Sequence, residues 1–257
     1  MERELEGKVA LVTGATSGIG KATVLRFAEA GARVAAVGRK QAELAEVCKE
    51  INKRGGKALA IRADVTVKPI PRRIVNETVE KFGALDILVN AAGHISNGTI
   101  ETTRMADWDA MMNVNLRAIF NLMQHSVPHL EARRGNIVNV SSVTGLRAFP
   151  GVLAYCVSKA GLDQLTRCAA LELAAKGVRV NAVNPGVVVT EIHKRGGMKE
   201  DAYEAFLEHS KSTHPIGRVG SAREVAELIL YLASERAAWI TGATYSIDGG
   251  RAQTCAR

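Results

Sequence analysis

Long apolar runs are absent from this sequence, and that absence limits where the protein can work. No stretch approaches the roughly 18 apolar residues that a membrane-spanning helix needs. The first residues, 1–8, contain neither an apolar core nor a cleavage site, so the sequence predicts no secretory signal. We expect a cytoplasmic protein that does not enter a membrane.

Cysteine is also scarce. The four cysteines form no C-x-x-C pair and no spacing typical of a metal site; they are Cys48, Cys156, Cys168 and Cys255. We predict reduced thiols, as in most cytoplasmic proteins, and no bound metal. Cys156 follows Tyr155 in the sequence, and we interpret it as a small buried apolar residue rather than a nucleophile.

Negative charge is in the minority, because 26 Asp and Glu stand against 34 Lys and Arg and leave a net charge of +8. A basic protein can bind nucleic acid, but here the positive residues are spread along the chain. They accompany no helix-turn-helix, zinc-finger or aromatic stacking pattern. We therefore expect no nucleic-acid partner, and we interpret the excess as a solvated surface that attracts an anionic cofactor or substrate.

What the sequence does contain is a regular alternation of strand-like and helical patterns over 257 residues, of which 47% are hydrophobic. Seven short apolar runs have the composition of buried strands: 8–13, 33–37, 58–62, 85–89, 136–140, 177–183 and 243–247. Helical patterns separate them: one that ends at Ala30, then 41–54, 71–82, 107–132, 153–175, 200–210 and 221–233. This order predicts one α/β domain, with a seven-stranded parallel sheet covered by helices on both faces.

Three residues with proton-transfer chemistry converge after the fifth predicted strand. Tyr155 and Lys159 are four residues apart and share one face of the predicted helix, and Ser142 lies on the connection into that helix. A tyrosine with its ordinary pKa of about 10 is a poor base at neutral pH. A neighbouring cation lowers that pKa, so we expect Lys159 to activate Tyr155. The short Y-x-x-x-K pattern alone also fits an ordinary tyrosine above a surface lysine.

A glycine-rich segment follows the first predicted strand. The pattern Gly14-x-x-x-Gly18-x-Gly20 opens a predicted helix and would present backbone N–H groups to an anion, as at a dinucleotide phosphate site. Its spacing differs from the G-x-G-x-x-G fingerprint, and a tight strand–helix corner without a ligand is the alternative.

The end of the second predicted strand bears on the choice of cofactor. Arg39 and Lys40 stand where dinucleotide-binding folds often place an acid that holds the adenosine ribose. An arginine at this point can instead receive a 2′-phosphate, so the sequence favours NADP(H) over NAD(H). The alternative is that both residues are simply exposed.

Taken in order, these motifs resemble the short-chain dehydrogenase/reductase family over nearly the whole chain. The matching segments are Thr13-Gly14-x-x-x-Gly18-Ile19-Gly20, Asp64-Val65, Asn90-Ala91-Ala92-Gly93, Asn115, Ser142, Tyr155-x-x-x-Lys159, Pro185-Gly186 and Asp248-Gly249. The resemblance implies a single Rossmann-type, doubly wound NAD(P)-binding domain over 1–257, with a substrate loop at about 187–220.

The resemblance also implies residue roles. Tyr155 would be the general acid/base, Ser142 would orient the substrate oxygen, and Lys159 would lower the tyrosine pKa and hold the nicotinamide ribose. Asn115 would anchor a water that relays protons through the lysine. The implied cofactor contacts are Gly14, Ser17, Gly18, Ile19, Gly20, Arg39, Asp64, Val65, Asn90, Ala91, Gly93, Tyr155, Lys159, Pro185, Gly186, Val188 and Thr190.

By the same resemblance, the protein is an NADP(H)-dependent enzyme that interconverts a carbonyl and a secondary alcohol, and a homotetramer. It is similar to 3-oxoacyl-carrier reductases and to sugar or polyol dehydrogenases of the family. The implied pocket segments, 94–97, 143–150 and about 191–215, mix polar, basic and apolar residues and single out no small-molecule substrate. Two alternatives stay open: an NAD(H)-dependent sugar or alcohol dehydrogenase, and a non-catalytic dinucleotide-binding protein on the same fold.

Overall fold

A computed structural model describes residues 3–254, and Cys255 lies outside the described residues. It contains a sheet of seven strands: β1 (Val9–Thr13), β2 (Arg33–Gly38), β3 (Lys57–Arg62), β4 (Ile87–Asn90), β5 (Asn136–Val140), β6 (Arg179–Pro185) and β7 (Thr244–Ile247). All neighbouring strands are parallel, in the order β3-β2-β1-β4-β5-β6-β7. The predicted seven-stranded parallel sheet is confirmed.

Helices cover both faces of this sheet. They are α1 (Gly18–Glu29), α2 (Gln41–Lys53), α3 (Ile70–Phe82), α4 (Met105–Met112), α5 (Ala118–Arg133), α6 (Val143–Leu146), α7 (Leu153–Ala174), α8 (Ile192–Arg195), α9 (Glu200–Thr213) and α10 (Ala222–Ala233). Because side chains alternate along a strand, Ala10 and Val12 pack in the core beneath α1, α2 and α10, whereas Leu11 packs beneath α3, α5 and α7. Over residues 3–254, no helix combines the length and apolar composition needed to cross a membrane.

One predicted helix, 107–132, contains a π-helical turn. The chain forms α4, then a π-helical turn at Asn113–Arg117, and then α5. Within that turn, Asn115 Oδ1 accepts from the N–H of His94 at 2.9 Å and its Nδ2 donates to the carbonyl oxygen of His94 at 2.8 Å. Single π-helical turns inside α-helices are frequent at functional sites. The predicted helix is present, at 105–133, but the sequence contains no indication of the π-helical turn, because a hydrophobic pattern carries no information about a hydrogen bond to a distant segment.

The sheet positions a cavity at the carboxyl ends of its strands. The chain adds β2 and β3 on one side of β1 and then β4 to β7 on the other, so the order reverses beside β1. Ligands of such sheets bind at this switch point. A cavity of about 770 Å³ lies there, between the segments that follow β1, β4, β5 and β6. Its size falls in the range of about 300–1,000 Å³ typical of small-molecule sites.

Candidate active site

The glycine-rich turn between β1 and α1 packs directly against the segment after β4. Gly14 has a φ of +67°, and a Cβ at this position would lie 2.8 Å from the carbonyl oxygen of Ala91. A Cβ on Gly20 would collide with the carbonyl oxygen of Gly14. Thr13 Oγ1 accepts from the N–H groups of Ala91 and Ala92, each at 3.1 Å. Both glycines are therefore required by close approach of backbone to backbone.

The groups that this turn presents to the cavity suit a phosphate. Ser17, Gly18 and Ile19 line the cavity at the beginning of α1, where the first backbone N–H groups have no partner within the helix. Ser17 precedes the helix with extended backbone, and its side chain makes no capping bond. Arg39 lies at the rim, after β2. N–H donors, a helix N-terminus and a guanidinium together fit the phosphates of a dinucleotide.

The segment after β3 forms the cavity wall beside Arg39. Asp64 and Val65 both line the cavity. Asp64 Oδ1 accepts from the N–H and the hydroxyl of Thr66, at 3.0 and 2.7 Å. Burial acts to raise the pKa of Asp64, but these two bonds and the charge of Arg39 leave that pKa below its ordinary value. Asp64 is therefore a carboxylate at neutral pH, and its Oδ1 already accepts two hydrogen bonds from Thr66.

The structure does not bring every predicted cofactor contact to the cavity. After β4, Ala91 and Gly93 line the wall. The side chain of Asn90 instead turns into the protein, where its Nδ2 donates to Asn139 Oδ1 at 2.8 Å and only 1% of the residue is exposed. Asn90 thus fixes β4 against β5 and lies behind the residues that face the cavity.

Ser142, Tyr155 and Lys159 meet at the inner end of the cavity. All three are buried. Ser142 precedes α6, and its Oγ accepts from the N–H of Thr144 at 3.2 Å. Lys159 Nζ donates to the carbonyl oxygen of Val140 at 2.8 Å and lies 5.7 Å from the centre of the Tyr155 ring. The structure therefore brings the three proton-transfer residues together after β5 and on one face of α7.

The pKa of Tyr155 shifts in the direction opposite to the one expected. Burial raises the pKa of Tyr155 to about 12, and the neighbouring Ser142 side chain opposes that rise. Burial lowers the pKa of Lys159 to about 8, against the effect of the Asp163 charge. Removal of the phenol from water is the largest cause of this rise, and the ammonium of Lys159 lies 5.7 Å from the ring centre. That Lys159 lowers the tyrosine pKa stays a prediction.

Asn115 braces the cavity wall from behind. It is fully buried, and besides its two bonds to His94 its Nδ2 donates to Ser158 Oγ at 3.0 Å. A Cβ on Gly93 would lie 3.5 Å from Asn115 Oδ1 and 3.9 Å from Lys159 Nζ. Asn115 and Lys159 therefore flank the same stretch of backbone, which itself faces the cavity.

The segment after β6 forms the opposite wall. Its predicted cofactor contacts all line the cavity: Pro185, Gly186, Val188 and Thr190. Two residues near the ends of α9 hold this segment in place. His214 Nε2 accepts from the N–H of Val187 at 3.1 Å, and the Tyr203 hydroxyl donates to the carbonyl oxygen of Thr190 at 2.8 Å.

The remaining end of the cavity is mainly apolar. It is lined by His94, Ile95, Phe149, Val152, Ile192, His193, Phe206 and Arg251. Burial lowers the pKa of both histidines, and for His94 the charges of Arg39 and Arg195 add to that effect. Two basic residues of the predicted pocket segments turn away: Lys194 pairs with Glu200 at 2.7 Å, and Arg147 Nη1 donates to the carbonyl oxygen of Ala252 at 3.1 Å.

Two buried polar residues that the sequence analysis missed support Ser142. Asp163 lies one turn beyond Lys159 on α7, is 1% exposed, and has its pKa raised by burial. Asn184, on β6, donates from Nδ2 to Asp163 Oδ2 at 2.8 Å and to the carbonyl oxygen of Ser142 at 2.9 Å. The spacing of four residues from Lys159 could have pointed to Asp163. The sequence around Asn184 contains no pattern that would have indicated its role.

Replacing Asn184 by alanine is expected to lower the free energy of unfolding by about 2–3 kcal/mol, because two buried acceptors lose a donor. Urea unfolding followed by circular dichroism measures the change. The matched control is Asn52→Ala, because Asn52 only accepts one exposed backbone bond, from Ala58 at 3.2 Å. Equal losses in the two variants would contradict a bracing role for Asn184.

Comparison with known proteins agrees with this geometry. The family model described as Enoyl-(Acyl carrier protein) reductase matches residues 14–252. The 3-oxoacyl-[acyl-carrier-protein] reductase FabG of Thermotoga maritima is 43% identical over 247 residues, which cover 96% of this chain and 98% of that protein.

Solved structures give the same result. A short-chain dehydrogenase/reductase of unknown function from Caenorhabditis elegans, solved with cofactor, has a TM-score of 0.92 and 36% identity and covers 98% of this chain and 97% of its own. A short-chain type dehydrogenase/reductase from Mycobacterium marinum has a TM-score of 0.90 and 35% identity, with 98% of both chains covered. Fold, motifs and relatives thus agree over nearly the full length, and this chain belongs to the short-chain dehydrogenase/reductase family of NAD(P)-dependent oxidoreductases.

Proposed function

We propose that this protein is an NADP(H)-dependent oxidoreductase that interconverts a carbonyl and a secondary alcohol, with Tyr155 as the general acid/base. The observation that carries the proposal is the meeting of Ser142, Tyr155 and Lys159 in the cavity that also contains the glycine-rich turn. The nicotinamide, when bound, supplies the hydride chemistry. The protein's own residues supply position and proton transfer.

Tyr155 is suited to act as an acid. Because its pKa is raised to about 12, the phenol keeps its proton at neutral pH and can donate it to a carbonyl oxygen that gains negative charge. In the oxidative direction the phenol must first lose that proton, at about 1.36 kcal/mol for each unit between its pKa and the pH. The protonated, buried phenol therefore fits the role of proton donor when a carbonyl is reduced.

Ser142 and Lys159 position the reactants. Ser142 Oγ accepts from the N–H of Thr144, and the Ser142 hydroxyl interacts with the Tyr155 side chain, so both hydroxyls could meet one substrate oxygen. Lys159, with a pKa of about 8, is protonated at pH 7 and uses one of its three N–H donors on Val140. The other two would hold the nicotinamide ribose. Asn115, beside the same backbone, would anchor the water of a proton relay.

The preference for NADP(H) is supported by the charges beside β2. Arg39 forms no ion pair among residues 3–254, whereas its neighbour Lys40 pairs with Glu43 at 2.9 Å. The one carboxylate on the described cavity lining, Asp64, already accepts two bonds from Thr66. An unpaired guanidinium at this point suits a 2′-phosphate.

Wild-type enzyme is expected to have a higher kcat/KM with NADPH than with NADH, and Arg39→Met should raise the Kd for NADPH about tenfold while leaving that for NADH unchanged. Losing one charge-assisted contact, worth about 1.4 kcal/mol, accounts for a factor of ten. Titration calorimetry with both dinucleotides measures the effect. The control is Arg72→Met, which removes an exposed arginine on α3. An equal or better kcat/KM with NADH would contradict the preference.

The substrate is best identified with purified protein and a panel of carbonyl compounds, read by NADPH absorbance. Relatives named as 3-oxoacyl-[acyl-carrier-protein] reductases support including 3-oxoacyl thioesters, beside sugar and steroid ketones. We expect turnover with at least one class. Tight NADPH binding with no turnover across the panel would instead support a non-catalytic dinucleotide-binding protein.

We also propose a cytoplasmic homotetramer built from a single domain over 1–257 with a substrate segment at 187–220. Large apolar side chains are exposed on α5 and α7 and before β7: Phe120, Val157, Leu171 and Trp239. Such exposed surface supports association between copies. The free thiols of Cys48, Cys156 and Cys168 suit a reducing compartment.

A further inference from the structure

Two arginines that line the cavity form no ion pair within the part of the chain that the structure describes. They are Arg39, after β2, and Arg195, at the end of α8. The lysines next to them in the sequence do form ion pairs. Lys40 pairs with Glu43, whereas Lys194 pairs with both Glu191 and Glu200, at 3.7 and 2.7 Å. In each basic pair, the residue that reaches the cavity is the one that forms no ion pair within the described residues.

The two guanidinium groups lie close enough to influence each other. Burial lowers the pKa of Arg195, and the charge of Arg39 lowers it further. The same two charges add to the effect of burial in lowering the pKa of His94, which also lines the cavity. Two cations held together at a cavity rim favour an anion between them.

Arg195 also touches the phosphate-binding turn directly. Its Nη2 donates to Ser17 Oγ at 2.9 Å, across 178 residues of sequence. Thr190, in the same segment, packs close to this turn, since a Cβ added to Gly18 would lie 3.0 Å from Thr190 Cγ2. The segment at 187–220, which carries part of the apolar wall, thus packs against the turn that suits a phosphate and is hydrogen-bonded to it through Arg195.

We propose that Arg195 is a phosphate ligand of the bound dinucleotide, acting with Arg39 and Ser17, so that the substrate segment is fastened to the cofactor. This inference rests on the proposed dinucleotide-dependent function. A guanidinium forms forked, charge-assisted hydrogen bonds with phosphate oxygens. Two phosphate groups of the cofactor share this chemistry: the 2′-phosphate expected beside Arg39 and the pyrophosphate expected at the beginning of α1.

The test is the Kd of purified, full-length Arg195→Met for NADPH and for NADH, measured by titration calorimetry without substrate. We expect the Kd for NADPH to rise about tenfold, as for loss of one charge-assisted contact. A rise for NADPH alone assigns Arg195 to the 2′-phosphate, and an equal rise for both dinucleotides assigns it to the pyrophosphate. Unchanged values for both would overturn the proposal.

Controls separate this inference from the proposed function itself. Arg72→Met measures the effect of removing an exposed arginine elsewhere. Arg195→Lys keeps the positive charge but cannot form the paired hydrogen bonds of a guanidinium, so its Kd for NADPH should lie between those of Arg195→Met and the wild type. An unchanged melting temperature shows that Arg195→Met is folded. Wild-type protein that binds neither dinucleotide would defeat the proposed function, whereas wild-type binding that Arg195→Met fully retains would defeat only the role of Arg195.

Discussion

Replacing Tyr155 by phenylalanine is expected to lower turnover at least about 10³-fold, within the range that general acid–base catalysis contributes. The substitution removes the one hydroxyl that can protonate the substrate oxygen and leaves the ring in place. Tyr155 is 8% exposed, and the ring of phenylalanine fills the same space. Dinucleotide affinity should therefore be nearly that of the wild type. Steady-state kinetics with the best substrate of the panel, together with calorimetric titration of NADPH, measures both quantities.

The matched control for this prediction is Tyr231→Phe. Tyr231 lies on α10, outside the cavity, with the guanidinium of Arg236 5.2 Å from its ring centre. Its loss should leave kcat and KM unchanged. Turnover of Tyr155→Phe at the wild-type rate would remove the phenol from the mechanism, even if the family assignment stands.

Replacing Gly14 by alanine is expected to reduce dinucleotide affinity at least about 100-fold and to lower the free energy of unfolding by about 2–6 kcal/mol. The φ of +67° disfavours any Cβ, and this Cβ would also lie 2.8 Å from a backbone oxygen of Ala91. To avoid this close contact, the glycine-rich turn would have to move away from the segment after β4. Calorimetric titration and urea unfolding measure the two effects.

Gly83→Ala separates these two causes. Gly83 ends α3 with a φ of +80°, and a Cβ there would meet nothing within 4 Å. This variant therefore carries the backbone strain alone, about 1–2 kcal/mol, and should bind the dinucleotide as the wild type does. If Gly14→Ala behaved like Gly83→Ala, close approach to Ala91 would not be what selects glycine in the turn.

The fold followed from sequence patterns because a doubly wound sheet has strong local signals. Runs such as 8–13 and 136–140 are apolar throughout, as strands buried on both faces must be, and the helices between them show amphipathic spacing. The π-helical turn at Asn113–Arg117 left no such signal. It depends on two bonds between Asn115 and His94, and only the folded chain brings these residues together.

The candidate site was predictable where chemistry and spacing coincide. Tyr155 and Lys159 share a helix face at a spacing that the sequence shows directly. The direction of the tyrosine pKa shift was not predictable, because it depends on how far the fold removes the phenol from water. Arg195 escaped notice for another reason: its partner Ser17 lies at the other end of the chain.

The amide of Asn115 satisfies both the N–H and the carbonyl group of His94, as the backbone of an adjacent strand would do. A side chain from the π-helical turn therefore holds the backbone of the segment that follows β4. Gly93 lies just before His94 and lines the cavity. Asn115 thus fixes the backbone beside which a cofactor would lie. The conformational entropy of that segment is therefore lost on folding and need not be lost again each time a cofactor binds.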